Sequence, residues 1–335
     1  GMATSVLEEA PVFAHAETND LPCPICGERR FEPYAVLRDN RTGAFDQPFR
    51  VARCSGCGLV ALRPQPDQDE LFAGYERGYG PYPPPRGRAE IGRLGRQEVW
   101  KRRLKHAWHV LDGNGTIDRV AVTGRVLDVG SGKGDNVEFL LRQGLDAVGI
   151  DPNPRVVELG QARGLPIVHG TLETIEVVPE SFDTVILSQV IEHLIEPVAS
   201  LRTIHRLLRP GGRVVMLTPN IEGLPNRFFG DDWGHWHLPY HVYLYGPRQL
   251  RRLLQMTGFR VERLSTVTPA YWLHMSLTLW RHKSQATGWS LESGGRHNFH
   301  PAVRLALAPV ARAVDIVGRG DCHIAVGQKP PAADD

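Results

Sequence analysis

The stretch that decides the fold reads RVLDVGSGKG and occupies residues 125–134. Apolar residues lead into a turn that contains three glycines, and apolar residues at spacings of three and four follow from Val137 to Leu141. Gly144 is placed to end that helical pattern. The sequence therefore predicts a strand, a tight turn and a helix, with glycines that let the backbone approach a ligand closely.

A second strand is predicted at 147–150, and it ends in Asp151. A carboxylate at the carboxyl end of this strand suits a ribose, because the two ribose hydroxyls are hydrogen-bond donors. The segment 125–151 thus has the pattern of a nucleotide-binding unit, although a strand–helix turn without any ligand remains an alternative.

Three nucleotide ligands compete for this turn. A Walker loop requires glycine at 127 and Ser or Thr after the Gly-Lys pair, but the chain has Leu127 and Gly134. A dinucleotide fingerprint requires Gly or Ala at 135, where the chain has Asp135, whose charge opposes a pyrophosphate. S-adenosylmethionine has no phosphate and carries a cationic sulfonium and an ammonium group. Asp128, two residues before the first glycine, is compatible with those cations.

Three later motifs extend the pattern. Residues 181–188 read SFDTVILS, residues 190–194 read VIEHL, and residues 207–217 read LLRPGGRVVML. With the glycine turn, these four motifs in order make the segment from about Val126 to Phe259 resemble a class I S-adenosylmethionine-dependent methyltransferase. The resemblance implies a doubly wound, Rossmann-like α/β fold with a seven-stranded sheet and S-adenosylmethionine as cofactor. The alternation of predicted strands and helices independently favours a mostly parallel sheet covered on both faces.

The resemblance also implies a set of cofactor-binding residues. The glycine turn and the acidic strand ends surround the methionine and ribose, and Gly170 to Glu173 follows the third strand where the family binds adenine. The implied residues are Asp128, Gly130, Ser131, Gly132, Gly134, Asp151, Pro152, Thr171, Leu172, Ser188, Gln189 and Tyr79.

Four of the five cysteines form two Cys-x-x-Cys pairs, each followed by glycine. Paired knuckles of this kind bind zinc, because each tight turn directs two thiolates at one point, and four thiolates make the zinc structural. Two disulfides or a redox motif are the alternatives, which the doubled motif and a cytosolic context disfavour. We interpret Cys322 as a buried thiol in the final strand. The predicted zinc ligands are Cys23, Cys26, Cys54 and Cys57.

The length and net charge of the chain limit its domain organisation and its classes of partner. The 335 residues allow a large core and a small second unit, and a net charge of +2 does not mark a nucleic-acid binder. No apolar run is long enough for a transmembrane helix, and no signal peptide is evident, so we expect a cytoplasmic protein. We predict a disordered tail (1–20), a zinc ribbon (21–64), a linker with a helical cap (65–120) and a methyltransferase domain (121–330) with insertions at about 219–246 and 268–320.

The linker contains a tyrosine-rich stretch and a basic helical pattern. The ribbon followed by these tyrosines resembles bacterial methyltransferases encoded with polysaccharide and small-molecule pathways, in which the stretch caps the cofactor. Tyr75, Tyr79 or Tyr82 is therefore a candidate for the methionine end, with packing as the alternative. The basic residues of 86–109 are interpreted as a solvated helix face, with an anion or RNA contact as the alternative.

Histidines supply the candidate general bases, because methyl transfer to oxygen also removes a proton and histidine titrates near neutral pH. The insertion at 219–246 carries His235, His237 and His241 and leaves the fifth strand near Thr218, at the ligand-binding edge of the sheet. We predict His237 or His241 as the base and His193 as the next candidate. A metal site made of His235, His237 and His241, and an aromatic lid whose histidines only pack, are the alternatives.

The sequence leaves three competing hypotheses about function. The first is O-methylation of a small molecule, such as a sugar, a lipid-linked glycan or a related metabolite. The second is methylation of ribosomal or transfer RNA, which the residues after the fourth strand disfavour because they lack an Asn/Asp-Pro-Pro-Tyr type motif. The third is a binding protein with a degenerate methyltransferase fold. A sugar C-methyltransferase also remains open. The second insertion is expected to cover the acceptor pocket or to make a homodimer contact.

Overall fold

The computed structural model describes residues 21–66, 120, 122–176, 178–292 and 301–332. The predicted tail, most of the predicted linker with its tyrosines and basic helix, and residues 293–300 lie outside these ranges. Within them the strands are β1 (Phe31–Leu37), β2 (Phe49–Cys54), β3 (Val60–Leu62), β4 (Arg125–Val129), β5 (Asp146–Asp151), β6 (Ile167–His169), β7 (Phe182–Ser188), β8 (Leu208–Pro219), β9 (Tyr243–Leu244), β10 (Arg260–Val267) and β11 (Cys322–Gln328). The helices are α1 (Asp135–Arg142), α2 (Pro154–Ala162), α3 (Pro197–Leu207), α4 (Leu224–Phe229), α5 (Pro247–Met256), α6 (Ala270–Arg281), α7 (Ser284–Thr287) and α8 (Pro301–Ile316).

A seven-stranded sheet forms the centre, in the order β10-β11-β8-β7-β4-β5-β6. The pairs from β8 to β6 are parallel, whereas β11 runs antiparallel to both β8 and β10. This confirms the predicted seven-stranded, Rossmann-like α/β fold. The chain leaves β4 toward β5 on one side and returns as β7 on the other. The strand order therefore reverses at β4, and that reversal opens a ligand crevice at the carboxyl ends of these strands.

Local sequence explains where the helices begin and end. Gly134, at a φ of +86°, precedes α1, and Gly144, at a φ of +82°, follows it. The Asn153 side chain accepts a hydrogen bond from the Arg155 amide at 3.0 Å, and Pro154 occupies the first position of α2. Glycine supplies the left-handed turns, and an asparagine cap followed by proline starts a helix. These signals were readable in the sequence.

A second sheet of four strands, in the order β1-β2-β3-β9, holds the cysteine-rich segment. Its first three strands come from the predicted ribbon, and β9 comes from the insertion after β8. One continuous hydrophobic core contains Cys23, Leu59 and Ala61 together with Leu127 of β4 and Tyr243 of β9. The cysteine-rich segment is therefore packed onto the seven-stranded sheet through a shared core.

The insertion after β8 is largely buried. Trp233 and Tyr240 are completely inaccessible, and Trp236 is 2% exposed. Burying several aromatic side chains contributes roughly 2 kcal/mol or more each, so this segment is a structural part of the core.

The second insertion is largely helical where it is described. It contains α6 and the short helix α7, and α8 runs through Pro309 without a break. Among the described residues, no helix is long and apolar enough to cross a membrane.

Candidate active site

A cavity of about 690 Å³ opens at the carboxyl ends of β4, β5 and β7, a size typical of small-molecule sites. Its walls come from the glycine turn, the segment after β6, the turn after β7 and the start of α3. The lining residues include Gly130, Gly132, Asp151, Pro152, Thr171, Leu172, Gln189, His193, Leu194, Glu196 and Ser200.

The glycine turn has no room for side chains at two of its positions. At Gly130, where φ is +67°, a Cβ atom would lie 2.6 Å from a methyl group of Val190. At Gly134, where φ is +86°, a Cβ atom would lie 2.4 Å from Ile167. Both the left-handed backbone and the close packing require glycine there. The main chain of the turn therefore forms part of the cavity wall without any side chain at Gly130 and Gly132.

Asp151 is held by the turn that it faces. One carboxylate oxygen accepts the Gly132 amide at 2.8 Å, and the other accepts the Asn153 amide at 2.9 Å. Burial raises the pKa of Asp151, and these two backbone bonds oppose the rise. The carboxylate lines the cavity in a fixed orientation, as a ribose diol requires.

Asp128 lies beneath the turn and is 1% exposed. Neither carboxylate oxygen has a hydrogen-bond partner among the described residues. Burial raises the pKa of Asp128 to about 7, and the charge of Asp151 adds to the rise. The Asn136 amide, close by but outside hydrogen-bond geometry, acts in the opposite direction. An unpaired carboxylate in this position is costly unless a cationic ligand group binds it.

The predicted cofactor residues divide into three groups. Seven line the cavity: Gly130, Gly132, Asp151, Pro152, Thr171, Leu172 and Gln189. Tyr79 lies outside the described residues. The remaining four lie in β4, in the glycine turn or at the end of β7, and they are Asp128, Ser131, Gly134 and Ser188.

Sequence reasoning missed the wall contributed by Leu194, Glu196 and Ser200. Pro197, the first residue of α3, was the available signal, because it marks a helix beginning at the ligand-binding edge of the sheet. Residues just before such a helix face the crevice.

Three histidines meet beside this cavity. The ring centroids of His193 and His241 are 4.7 Å apart, those of His237 and His241 are 5.0 Å apart, and those of His193 and His237 are 6.2 Å apart. His193 follows β7 and lines the cavity, whereas His237 and His241 are only 4% and 3% exposed. His193 therefore lines the cavity, whereas His237 and His241 do not line it and pack against the His193 ring.

Burial keeps these imidazoles neutral. It lowers the pKa of His193 to about 3, with a further contribution from the Arg41 guanidinium. Burial and Arg41 also lower the pKa of His237, and burial and His193 lower that of His241. All three side chains are therefore uncharged at neutral pH, and a positive charge from the cysteine-rich segment lies near them.

Two buried pairs flank the histidines. Glu192 accepts a hydrogen bond from the Thr218 hydroxyl at 2.9 Å, and burial raises its pKa to about 8. His235 lies 3.2 Å from Asp321, which also accepts the Trp233 indole N–H at 2.7 Å. The His235 ring thus pairs with Asp321, and it is not part of the group of ring nitrogens formed by His193, His237 and His241.

The four predicted cysteines converge in the cysteine-rich segment. The Sγ atoms of Cys23 and Cys57 are 3.5 Å apart, as are those of Cys26 and Cys54, and all four thiols are free. In a tetrahedral four-thiolate zinc site the sulfurs are about 3.8 Å apart. Each knuckle is closed by a glycine amide that donates to the first cysteine carbonyl at 2.9 Å. The donor set and spacing fit zinc.

Comparison with known families identifies the chain. The family model described as "Methyltransferase domain" matches residues 93–264, slightly more than half of the chain. The chain belongs to this methyltransferase family. The orphaned carboxylate of Asp128 and the ordered carboxylate of Asp151 fit the cationic and ribose parts of S-adenosylmethionine, the methyl donor that the family supports.

Individual relatives match parts of the methyltransferase. An uncharacterized methyltransferase of Mycobacterium tuberculosis is 37% identical over 97 residues, covering 28% of this chain and 39% of the relative. A ubiquinone biosynthesis O-methyltransferase of Cereibacter sphaeroides is 32% identical over 162 residues, covering 44% and 66%. The chain thus spans about two fifths of the length of the first curated relatives it matches.

Solved structures resemble the methyltransferase at lower identity. An S-adenosylmethionine-dependent methyltransferase of Mesorhizobium loti has a TM-score of 0.44 at 17% identity, covering 65% of this chain and 99% of that one. A corresponding enzyme of Archaeoglobus fulgidus has a TM-score of 0.42 at 18% identity, covering 70% and 95%.

Proposed function

We propose that this methyltransferase transfers the methyl group of S-adenosylmethionine to a hydroxyl oxygen of a small molecule that enters the cavity beside His193. The observation that carries the proposal is the presence of a neutral histidine in the wall of the same cavity as the glycine turn and Asp151. The likeness to ubiquinone biosynthesis O-methyltransferases supports an oxygen acceptor.

Each residue at the cofactor end of the cavity has a role in this proposal. Asp151 accepts hydrogen bonds from the ribose hydroxyls, and Asp128 attracts the ammonium of the methionine part. Thr171 and Leu172 border the adenine. The transfer itself is an in-line displacement at the sulfonium carbon, so the protein mainly contributes position and proximity.

The acceptor end offers groups that recognise hydroxyls. Glu196 and Ser200 line the cavity on the same wall as His193. Carboxylates accept hydrogen bonds from hydroxyl groups, and a serine hydroxyl both donates and accepts. This lining supports a sugar, a glycan-like molecule or another hydroxylated metabolite as the acceptor. His193 lies beside the reacting hydroxyl and helps to direct its oxygen toward the methyl group.

The four cysteines bind one structural zinc ion in this proposal. A closed four-thiolate site has no open position for substrate, so its contribution is to the fold. It stabilises the sheet that carries β9, and β9 follows the histidines of the insertion directly in sequence.

The test measures cofactor binding and turnover separately. Purified protein is incubated with S-adenosylmethionine and a panel of hydroxylated acceptors, and mass spectrometry detects the methylated product. His193→Gln should keep cofactor affinity within about twofold and lose about 100-fold or more in turnover, the scale for a group acting on the transferred proton. His205→Gln, half-buried and outside the cavity, is the matched control.

Two outcomes contradict the proposal. Methylation confined to RNA or to a protein would exclude the small-molecule acceptor. A His193→Gln protein with the turnover of the His205→Gln control would remove His193 from the reaction.

A further inference from the structure

The three histidines beside the cavity have the spacing of a metal site. One ring nitrogen from each of His193, His237 and His241 lies within 4.8 Å of the other two. Three nitrogens bound to one zinc-like ion at about 2.1 Å lie about 3.4 Å apart. Inward movements of about 1 Å or less therefore bring all three nitrogens to a common ion.

Backbone carbonyls orient two of the three rings. Nδ1 of His241 lies 2.7 Å from the carbonyl oxygen of His235, and the His193 ring is hydrogen-bonded to the carbonyl of Tyr240. Because a carbonyl only accepts, each of these ring nitrogens donates its proton, and the other nitrogen keeps its lone pair. Metal-binding histidines are oriented in this way by their outer partners.

The ligands come from two rigid segments. His193 ends a short helical turn after β7, and the other two histidines flank the fully buried Tyr240. The backbone at His237 has a φ of +36°, which is strained for a residue other than glycine. Strain of this kind, about 1–3 kcal/mol, is characteristic of functional positions.

We propose that His193, His237 and His241 bind one divalent transition-metal ion of the zinc class, with its open fourth position facing the cavity. Three protein ligands leave a position for an exogenous oxygen, as in catalytic zinc sites. The inference rests on the proposed function only in taking that oxygen to be the acceptor hydroxyl.

The ion activates the acceptor hydroxyl. A bound cation makes a hydroxyl acidic, so its proton leaves more readily. The acceptor O–H releases its proton to solvent, and the oxygen lone pair forms the new C–O bond. The C–S bond breaks, and its electron pair stays on sulfur as S-adenosylhomocysteine forms.

Arg41 sets the charge of the fourth ligand. Its guanidinium acts electrostatically on all three histidines, so it opposes a bare dication. The ion and Arg41 together favour an anionic oxygen in the open position. This predicts that acceptors with an acidic hydroxyl bind more tightly than plain alcohols of the same shape.

Metal content of the full chain tests the site without any acceptor. Metal-depleted protein is titrated with Co²⁺ and then Zn²⁺, and bound metal is counted by elemental analysis. Wild-type protein should bind one equivalent more than His237→Ala and one more than His241→Gln. The additional Co²⁺ should show weak d–d bands without thiolate charge-transfer bands, which distinguishes it from cobalt held by cysteines.

Two controls separate loss of the site from loss of the fold. His323→Gln, a buried histidine outside the cluster, should keep the wild-type metal content. S-adenosylmethionine affinity should be unchanged in a correctly folded His237→Ala protein, and if that variant unfolds, His193→Gln, at a half-buried position, replaces it.

The outcomes also distinguish a failure of the proposed metal site from a failure of the proposed function. Equal metal content in wild type and in folded histidine variants refutes the metal site, even if methyl transfer to a hydroxyl is observed. An additional histidine-bound metal in a protein that methylates no hydroxylated small molecule supports the metal site and refutes the proposed function.

Discussion

Replacing Asp128 with asparagine tests the centre of the cofactor site, because the change keeps the shape of the side chain and removes its charge. The free protein holds this carboxylate buried and unpaired, with a pKa of about 7 against an ordinary value of 3.8. We expect Asp128→Asn to weaken cofactor binding and, in the absence of cofactor, to stabilise the protein at alkaline pH.

The binding loss follows from one charge-assisted hydrogen bond. Such a bond to the methionine ammonium contributes about 1.5–3 kcal/mol, which corresponds to a loss of about 10- to 100-fold in affinity. Binding of the cation favours the ionised carboxylate. Wild-type affinity should therefore fall as pH drops below about 7, by up to tenfold per unit, whereas the asparagine variant should lack this dependence.

The stability change has the opposite sign. The folded pKa of Asp128 is raised, so its contribution to stability is complete below about pH 4 and is lost as pH rises through about 7. A rise from 3.8 to about 7 corresponds to at most about 4 kcal/mol at alkaline pH. The buried amide of asparagine recovers less, because its own unpaired groups cost about 1–3 kcal/mol.

Two measurements at about pH 6 and about pH 8.5 check both effects, with the range chosen to bracket the titration. Calorimetry gives the affinity for S-adenosylmethionine, and urea unfolding without cofactor gives the stability. Asp135→Asn, an exposed carboxylate on the same turn, is the control and should change neither. An asparagine variant with wild-type affinity at the higher pH would show that Asp128 faces no cation, and the reasoning would then be refuted.

Three other changes probe the turn, the ribose contact and the cysteines. Gly130→Ala should destabilise the fold by about 1–3 kcal/mol in thermal unfolding, because its Cβ meets Val190, whereas Gly132→Ala, with open space, should cost about 1 kcal/mol. Asp151→Ala should weaken S-adenosylmethionine binding by about tenfold or more in calorimetry, and wild-type protein should not bind NAD tightly. Removal of zinc with a chelator should unfold the cysteine-rich sheet, because structural zinc contributes about 10–16 kcal/mol. Cofactor affinity should fall in the same transition, because the two sheets share one core. Unchanged cofactor binding would contradict the shared core.

The glycine turn and the carboxylate of Asp151, which line the cavity, could be located from the sequence because their determinants are local. Glycines at positive φ, a capping asparagine and a carboxylate at a strand end act within a few residues of each other. Apolar runs fixed the strands of the central sheet for the same reason. The orphaned state of Asp128 was not readable, since it depends on how completely neighbouring strands bury the side chain.

The acceptor half was harder to predict because it depends on long-range packing. Spacing alone placed His237 and His241 on one face, but it could not show that His193 would stand between them and the cavity. The same limit applies to His235, whose partner Asp321 lies 86 positions away in the chain. The aromatic residues around these histidines suggested a lid in the sequence, whereas burial makes them part of the core.

The cysteine-rich segment therefore has a closer connection to the chemistry than its distance in sequence suggests. Its strand β3 pairs with β9, and β9 directly follows the segment that carries His237 and His241. Its loop also contributes Arg41, whose charge acts on all three histidines. The second sheet thus connects the cysteine-rich segment to the insertion that carries the histidines, because its strand β9 comes from that insertion. Since the cysteine-rich segment also shares a hydrophobic core with the central sheet, we expect a change in that segment to reach the histidines beside the cavity.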